Sequence, residues 1–328
     1  MGDPAGIGPE VVLKAIASRG LAARIEPILV GDAGVWRDTA HRLGARLAFA
    51  DGSTRARPGE VALAITSQLS ARYRRPGAPR TATAAAACGE AAYVAILEAV
   101  RLVQAGTAHG LVTAPISKAH LVAAGHDFPG HTELLAELAG GVPVRMMMVG
   151  TRLRVVLVTT HVKLADVPRR LTRDNVLQTI ELTARALHQQ FRIRTPRVAV
   201  TGLNPHAGEQ GLFGNEEARI IAPAIRAARR RGIDVSGPHA ADSVFAPAAA
   251  GKYDAVVCMY HDQGLAPFKL LHFADGVNFT LGLPFVRTSP DHGTAFDIAG
   301  TGRADPRSMI AALQLAAALG RLRLGSRC

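Results

Sequence analysis

Five short runs of consecutive apolar residues punctuate this chain at wide intervals: Ile28–Gly31, Gly110–Thr113, Val155–Thr159, Val198–Gly202 and Ala255–Met259. Each is too short for an amphipathic helix and too uniformly apolar for a strand with one wet face. A run of this kind reads as a strand buried on both faces, as in a parallel sheet covered by helices. Helical patterns fill the intervals: the alanine-rich Ala82–Ala105, then Arg173–Phe191 and Asn215–Arg231. Strands alternating with helices give an α/β protein, and 328 residues suit two domains. The segment Asp51–Pro79, with its glycine, proline, serine and arginine, reads as a surface excursion.

Composition narrows the function. No apolar run approaches the ~18 residues that span a bilayer, and Met1-Gly2-Asp3-Pro4 does not open a secretion signal, so no membrane partner is expected. Cys88, Cys258 and Cys328 are widely spaced and form no CxxC pair; this argues against a disulfide framework or a cysteine zinc site and fits a reducing cytoplasm. The net charge of +12 raises the possibility of a nucleic-acid partner. Against it, lysines number only five, the basic runs (Arg72 to Arg80, Arg169-Arg170, Arg229 to Arg231) are short and scattered, and aromatics at 5% offer no stacking platform. No nucleic acid is therefore expected.

The apolar runs share a pattern at their ends. Val155–Thr159 is followed by THVKLADVP with His161, Val198–Gly202 by LNPHAGEQG with His206, and Ala255–Met259 by YHDQGLAPFK with His261. Gly110–Thr113 runs into APISKAHL with Lys118. Ligands of open parallel sheets bind beyond the carboxyl ends of the strands. Three histidines delivered there suit a borderline divalent metal and leave coordination positions open for substrate. His41, His109 and His188 lack this placement.

Other candidates follow from local chemistry. FPGHTELLAE reads as a loop entering a helix, with Thr132 as a possible cap and Glu133 in the first turn. The same helix start, with His131 and Thr132, would suit an anion. Lys118, Lys269 and Arg287 are the cations of the motif-rich regions, and Arg287 could grip a phosphate or carboxylate with two bonds. GDPAGIGPE and DHGTAFDIAGTGRADP are glycine-rich, which permits close approach of backbone to a ligand. Neither matches GxGxxG or GxxxxGK[ST], so no ordinary nucleotide fingerprint is present.

Taken in order, GDPAGIGPE, TAPISK, GHTELLAE, TTH, GLNPHAGEQG, MYHDQGLAPFK and GVNFTLGLPFVRTSPDHGTAFDIAG resemble the 4-hydroxythreonine-4-phosphate dehydrogenase family over nearly the whole chain. GDPAGIGPE and HGTAFDIAG are also similar to their counterparts in isocitrate and isopropylmalate dehydrogenases. The resemblance implies that fold: two α/β/α domains flanking a cleft, here residues 1–125 with 275–328, and 126–274. It implies that His161, His206 and His261 bind a metal, zinc first, with magnesium, manganese or cobalt as alternatives. It assigns the phosphorylated substrate to His131, Thr132, Lys269, Asn278 and Arg287. The adenosine part of NAD or NADP falls to Asp291, His292, Gly293, Thr294, Ala295 and Asp297. It also implies a homodimer whose sites draw on both subunits.

The implied reaction oxidises a secondary alcohol by hydride transfer to the nicotinamide, after which a β-keto acid loses carbon dioxide. By analogy Lys118 is a candidate base and Asp242 a supporting group. A sister activity on 4-phospho-D-threonate or 4-phospho-D-erythronate is the alternative. Family members begin with a short strand ahead of GDPAGIGPE, whereas Met1 stands directly at that motif. The expectation here is a missing first strand and an exposed apolar edge.

Overall fold

A computed structural model describes residues 1–18, 21 and 25–324; Cys328 lies outside them. In chain order the elements begin with α1 (Gly8–Ile16), β1 (Ile28–Gly31), α2 (Ala33–Arg42), β2 (Ala48–Asp51) and β3 (Glu60–Ile65). Next come α3 (Ala82–Gln104), β4 (Leu111–Val112), α4 (Lys118–Ala123), α5 (His131–Leu138), β5 (Arg145–Val149) and β6 (Arg154–Leu157). The second half holds α6 (Arg173–Gln189), β7 (Val198–Thr201), α7 (Ala222–Arg230), β8 (Val235–His239), α8 (Ala241–Ala249) and β9 (Ala255–Cys258). Then follow α9 (His261–His272), β10 (Val277–Leu281), β11 (Arg287–Pro290) and α10 (Arg307–Leu324). The five apolar runs all contain strands, and the three long helical patterns contain α3, α6 and α7.

The chain forms two compact units, Met1–Val142 with Leu283–Cys328, and Pro143–Gly282. In the first unit β1, β3 and β2 pair in parallel, in that order. Their core sets Leu13 and Ile16 of α1 and Trp36 and Ala40 of α2 against Leu29 and Leu63. Asp32 caps α2 by accepting from Val35 N–H, as its position before the helix requires. The supposed surface excursion thus contains a central strand. The run Glu60–Ile65 carries the buried Ala62, Leu63 and Ala64, and this apolar stretch outweighs the polar residues on either side.

In the second unit the strands run β10-β5-β6-β9-β7-β8. The pairs β6–β9, β9–β7 and β7–β8 are parallel, while β10–β5 and β5–β6 are antiparallel. The sheet is therefore more mixed than the apolar runs alone predict. The cause is local: β5 and β6 are joined by a tight turn, closed by Gly150 N–H on Leu153 O at 3.0 Å. So short a link can only connect antiparallel strands. Residues of β6, β7 and β9 are almost all buried, and they share a core with Leu265 and Phe268 of α9 and Val244 and Ala248 of α8.

Helix α3 packs closely on α4, the helix that opens with Lys118. The contact depends on Gly89, where a Cβ would stand 1.9 Å from the carbonyl oxygen of His120. Alanine is intrinsically the better helix former by about 1 kcal/mol, but overpacking a filled contact costs about 1–3 kcal/mol. At 1.9 Å against backbone the clash dominates. Gly89→Ala should lower stability by about 2 kcal/mol, read as a lower urea midpoint; an unchanged or raised midpoint would contradict this packing.

Candidate active site

The strand ends of the second unit carry the three predicted histidines. Strands β6, β9 and β7 are parallel neighbours, so their carboxyl ends lie on one edge, with β9 in the middle. The β6–β9 ladder continues past the strands: Val158 N–H reaches Cys258 O at 2.9 Å and Thr159 N–H reaches Met259 O at 3.2 Å. His161 then leaves one end and His261 opens α9 at the other, and their ring centroids are 5.5 Å apart. His261 Nδ1 bonds Asp262 Oδ1 at 2.7 Å, which leaves Nε2 as the ring nitrogen for a metal.

Across the ladder, Gln263 of α9 clamps β7. Its Oε1 accepts from Thr201 Oγ1 and from Met259 N–H, both at 2.7 Å, while its Nε2 donates to Gly202 O at 2.8 Å. His206 lies beyond that clamp, exposed, with its ring 6.2 Å from that of Phe213.

Two imidazoles from adjacent strands, one oriented by a carboxylate, suit a borderline divalent cation. Among the described residues no group of three or more histidine, cysteine, aspartate or glutamate side chains is gathered closely enough to hold a metal. The chain thus brings His161 and His261 together and leaves His206 apart from them. Lys269 lies on α9 two turns beyond His261, about 12 Å along the axis. Asn278, on β10 opposite Met148, has its Oδ1 enclosed and without a hydrogen-bond partner among the described residues. Asp242 is an exposed residue in the first turn of α8.

The first unit holds a separate constellation. Arg287 opens β11 and is only 2% exposed; its Nη2 and Nε donate to Thr113 Oγ1 at 2.6 and 3.1 Å. Burial pushes the guanidinium down to about 10, with the nearby Glu133 carboxylate opposing. His131 is held well below the ordinary histidine value, first by burial, then by the Arg287 charge and the amino group of Met1. Its Nε2 is enclosed and has no hydrogen-bond partner among the described residues. A neutral imidazole beside a buried guanidinium, at the start of an eight-residue helix, is a ready receptor for an anion.

The predicted cap at Thr132 is not observed: α5 starts two residues earlier than that cap implies, with Gly130 as N-cap and no side-chain bond. The backbone of Gly130 is extended there, and its missing side chain leaves space. A Cβ would lie 3.4 Å from Glu133 Oε2 and 4.0 Å from Lys118 Nζ. Lys118 is exposed, and Ser117 caps its helix by accepting from His120 N–H.

The two glycine-rich segments meet. Ile7 N–H donates to Thr294 O at 2.9 Å, and a Cβ on Gly6 would stand 3.0 Å from that same oxygen. Asp291 N–H donates to Ser308 Oγ at 2.9 Å, His292 Nδ1 lies 3.1 Å from Gly293 O, and Ala295 takes a left-handed φ of 39°. Gly293 and Asp297 are exposed.

One residue that sequence reasoning missed sits here. His120 is buried, its Nδ1 2.6 Å from Asp3 Oδ2 and its ring 5.3 Å from that of Phe296. It joins GDPAGIGPE, α4 and the 291–297 loop. The only signal was its position two residues after Lys118, on a helix too short to show a face.

A family model described as pyridoxal phosphate biosynthetic protein PdxA matches residues 23–316. A 4-hydroxythreonine-4-phosphate dehydrogenase of Geobacter metallireducens is 52% identical over 327 residues, covering 98% of this chain and 95% of the relative. The crystal structure of 4-hydroxythreonine-4-phosphate dehydrogenase from Klebsiella pneumoniae superposes with a TM-score of 0.87 at 42% identity, covering 98% of this chain and 96% of that one. A terephthalate 1,2-cis-dihydrodiol dehydrogenase from Burkholderia xenovorans gives 0.65 at 34% identity, covering 97% and 96%.

The unfolded chain takes up the His131 proton near the ordinary value of 6.5, and the folded chain only well below it. Acidification through that interval therefore destabilises the fold, and stability is unaffected above it. His131→Gln should flatten the loss of stability that sets in as the pH falls below about 6.5. NMR of the parent protein should show a His131 ring still neutral at about pH 6, with phosphate raising its pKa. An ordinary titration at 6.5 would contradict the enclosure.

Proposed function

The chain belongs to the 4-hydroxythreonine-4-phosphate dehydrogenase family of pyridoxal phosphate biosynthetic proteins, and from that premise we propose that it oxidises 4-phosphohydroxy-L-threonine with a nicotinamide cofactor, NAD or NADP. Loss of carbon dioxide then leaves 3-amino-2-oxopropyl phosphate. One observation carries the reading: His161 and His261 stand with rings 5.5 Å apart at the ends of adjacent parallel strands, beside the strand that leads to His206.

His161, His206 and His261 would hold a divalent metal, zinc first, with magnesium, manganese or cobalt as alternatives. When bound, such an ion supplies positive charge that makes a secondary hydroxyl acidic and stabilises negative charge left by decarboxylation. The chain's own groups do the rest. Asp262 keeps the His261 ring in one tautomer. Arg287 grips the phosphate with guanidinium N–H groups, and His131, neutral at pH 7, adds its enclosed Nε2 without the cost of a second buried cation. Thr132, Lys269 and Asn278 complete the substrate set, Asn278 with an amide oxygen that awaits a donor. Lys118 is the base assigned to the hydroxyl proton, with Asp242 in support. The loop of Asp291, His292, Gly293, Thr294, Ala295 and Asp297 takes the adenosine part of the cofactor.

The working form is a homodimer. In the second unit large apolar side chains stand exposed next to each histidine: Val162 and Leu164 after His161, Leu212 and Phe213 after His206, and Leu270 (86% exposed) and Phe273 (81%) on and beside α9. Apolar surface concentrated this way marks an interface, and a second subunit would supply the His206 that one chain leaves apart. A reducing cytoplasm suits the buried free thiols Cys88 and Cys258.

With zinc-replete protein, 4-phosphohydroxy-L-threonine should support NADH or NADPH formation with kcat/KM at least about tenfold above 4-phospho-D-threonate and 4-phospho-D-erythronate, a gap of about 1.4 kcal/mol. The reverse ranking would make the chain a sister dehydrogenase. His206→Ala should lose more than the roughly hundredfold that changes outside a metal's own ligands cost. Leu270→Lys with Phe273→Lys should sediment as a monomer and lose turnover; an active monomer would remove the shared site.

A further inference from the structure

The loop that carries His206 adopts a conformation that its residues do not favour. His206, Ala207, Gly208, Glu209 and Gln210 have φ of 51°, 52°, 84°, 39° and 56°. Gly208 accepts this freely. For each of the other four, whose Cβ crowds the backbone there, the left-handed region is unfavourable. Such a run persists only where its surroundings over-determine it.

The surroundings are largely one side chain. Glu217 is 6% exposed and opens a π-helical turn, Glu217–Ile221, that leads into α7. Its Oε1 accepts from the N–H groups of Leu203 and Asn204, both at 2.8 Å, and its Oε2 from Asn204 Nδ2 at 3.1 Å. Asn204 Nδ2 also donates to Glu216 Oε2 at 2.8 Å. The loop is wrapped tightly on this carboxylate: a Cβ on Gly208 would lie 2.6 Å from Oε2, and one on Gly202 3.0 Å from Oε1. Among the described residues no lysine or arginine pairs with Glu217; N–H donors satisfy its charge. Two accepting oxygens are needed, because Oε1 takes two backbone donors while Oε2 faces an amide nitrogen.

We propose that Glu217 is the positioning residue for His206: its carboxylate locks residues 202–208 so that the imidazole is presented at the end of β7 in one orientation. The assignment rests on the reading of His206 as a metal ligand. Glu217 touches neither metal nor substrate and acts through the loop. Glutamine at this position would keep one acceptor but turn an NH2 group towards Asn204 Nδ2, a donor against a donor, and would loosen the loop without emptying the space.

Calorimetric titration of metal-free, full-length protein with Co(II), together with the visible spectrum of the cobalt form, tests this. Glu217→Gln should raise the Co(II) Kd about ten- to hundredfold and weaken the cobalt absorption, as loss of an outer partner of a ligand does. Asn204→Ala, which removes the Oε2 contact from the other side, should move both readouts in the same direction. Wild-type Kd and spectrum in folded Glu217→Gln overturn the proposal; if that variant does not fold, the same result in Asn204→Ala overturns it. His206→Ala separates the two levels. If it weakens Co(II) binding and the Glu217 and Asn204 variants do not, only the role of Glu217 fails; if it binds Co(II) as the parent does, the ligand reading fails and takes this proposal with it.

Discussion

The parallel ladder of β6, β9 and β7 is the constraint on which the rest of the second unit hangs. Its register pairs Val155 with Val256 and Val198 with Ala255, so three strands of nearly equal length end level with one another. Parallel pairing is what puts the outgoing chain on the same edge three times. Valine, alanine and leucine make most of these strands, and their burial on both faces leaves polar residues only where the strands stop. The chemistry of the edge is therefore a by-product of the core: where the apolar run ends, a histidine begins.

That logic explains what was legible. The five apolar runs, the long helices and the strand-end histidines depend on local pattern, and local pattern is what a sequence displays. Less legible was anything set by pairing partners. β6 lies in an apolar run, but only the four-residue turn at Gly150 reveals that it runs antiparallel to β5. β3 was hidden among polar flanks, since its five-residue apolar stretch is shorter than the Gly- and Arg-rich ground around it. Thr132 had the chemistry of a cap, yet the helix begins at His131 because Gly130 provides the entry. His120 and Glu217 escaped notice for a common reason. Each is a buried charged or titratable group whose partners, Asp3 for one and the 203–204 backbone for the other, are distant in sequence.

The first unit shows a different use of burial. Arg287 is buried, and two of its N–H groups hold the hydroxyl of Thr113. Burial works against the charge, and Glu133 only partly offsets it. An arriving dianion would restore what water supplied. The neutral state of His131 belongs to the same balance, because a second cation in that space would find no compensation. Gly130, by withholding a side chain between Lys118 and Glu133, keeps the approach open.

The clamp made by Gln263 has a consequence beyond geometry. Its carboxamide is polarised correctly at both ends: the oxygen meets two donors and the nitrogen meets the carbonyl of Gly202. Slow chemical ageing of that amide to an acid would set an oxygen against the Gly202 carbonyl. Repulsion would then prise the helix that begins at His261 from the strand that leads to His206. A lesion of one mass unit, invisible to the hydrophobic core, would act at the point where the two histidine-bearing segments are fastened together.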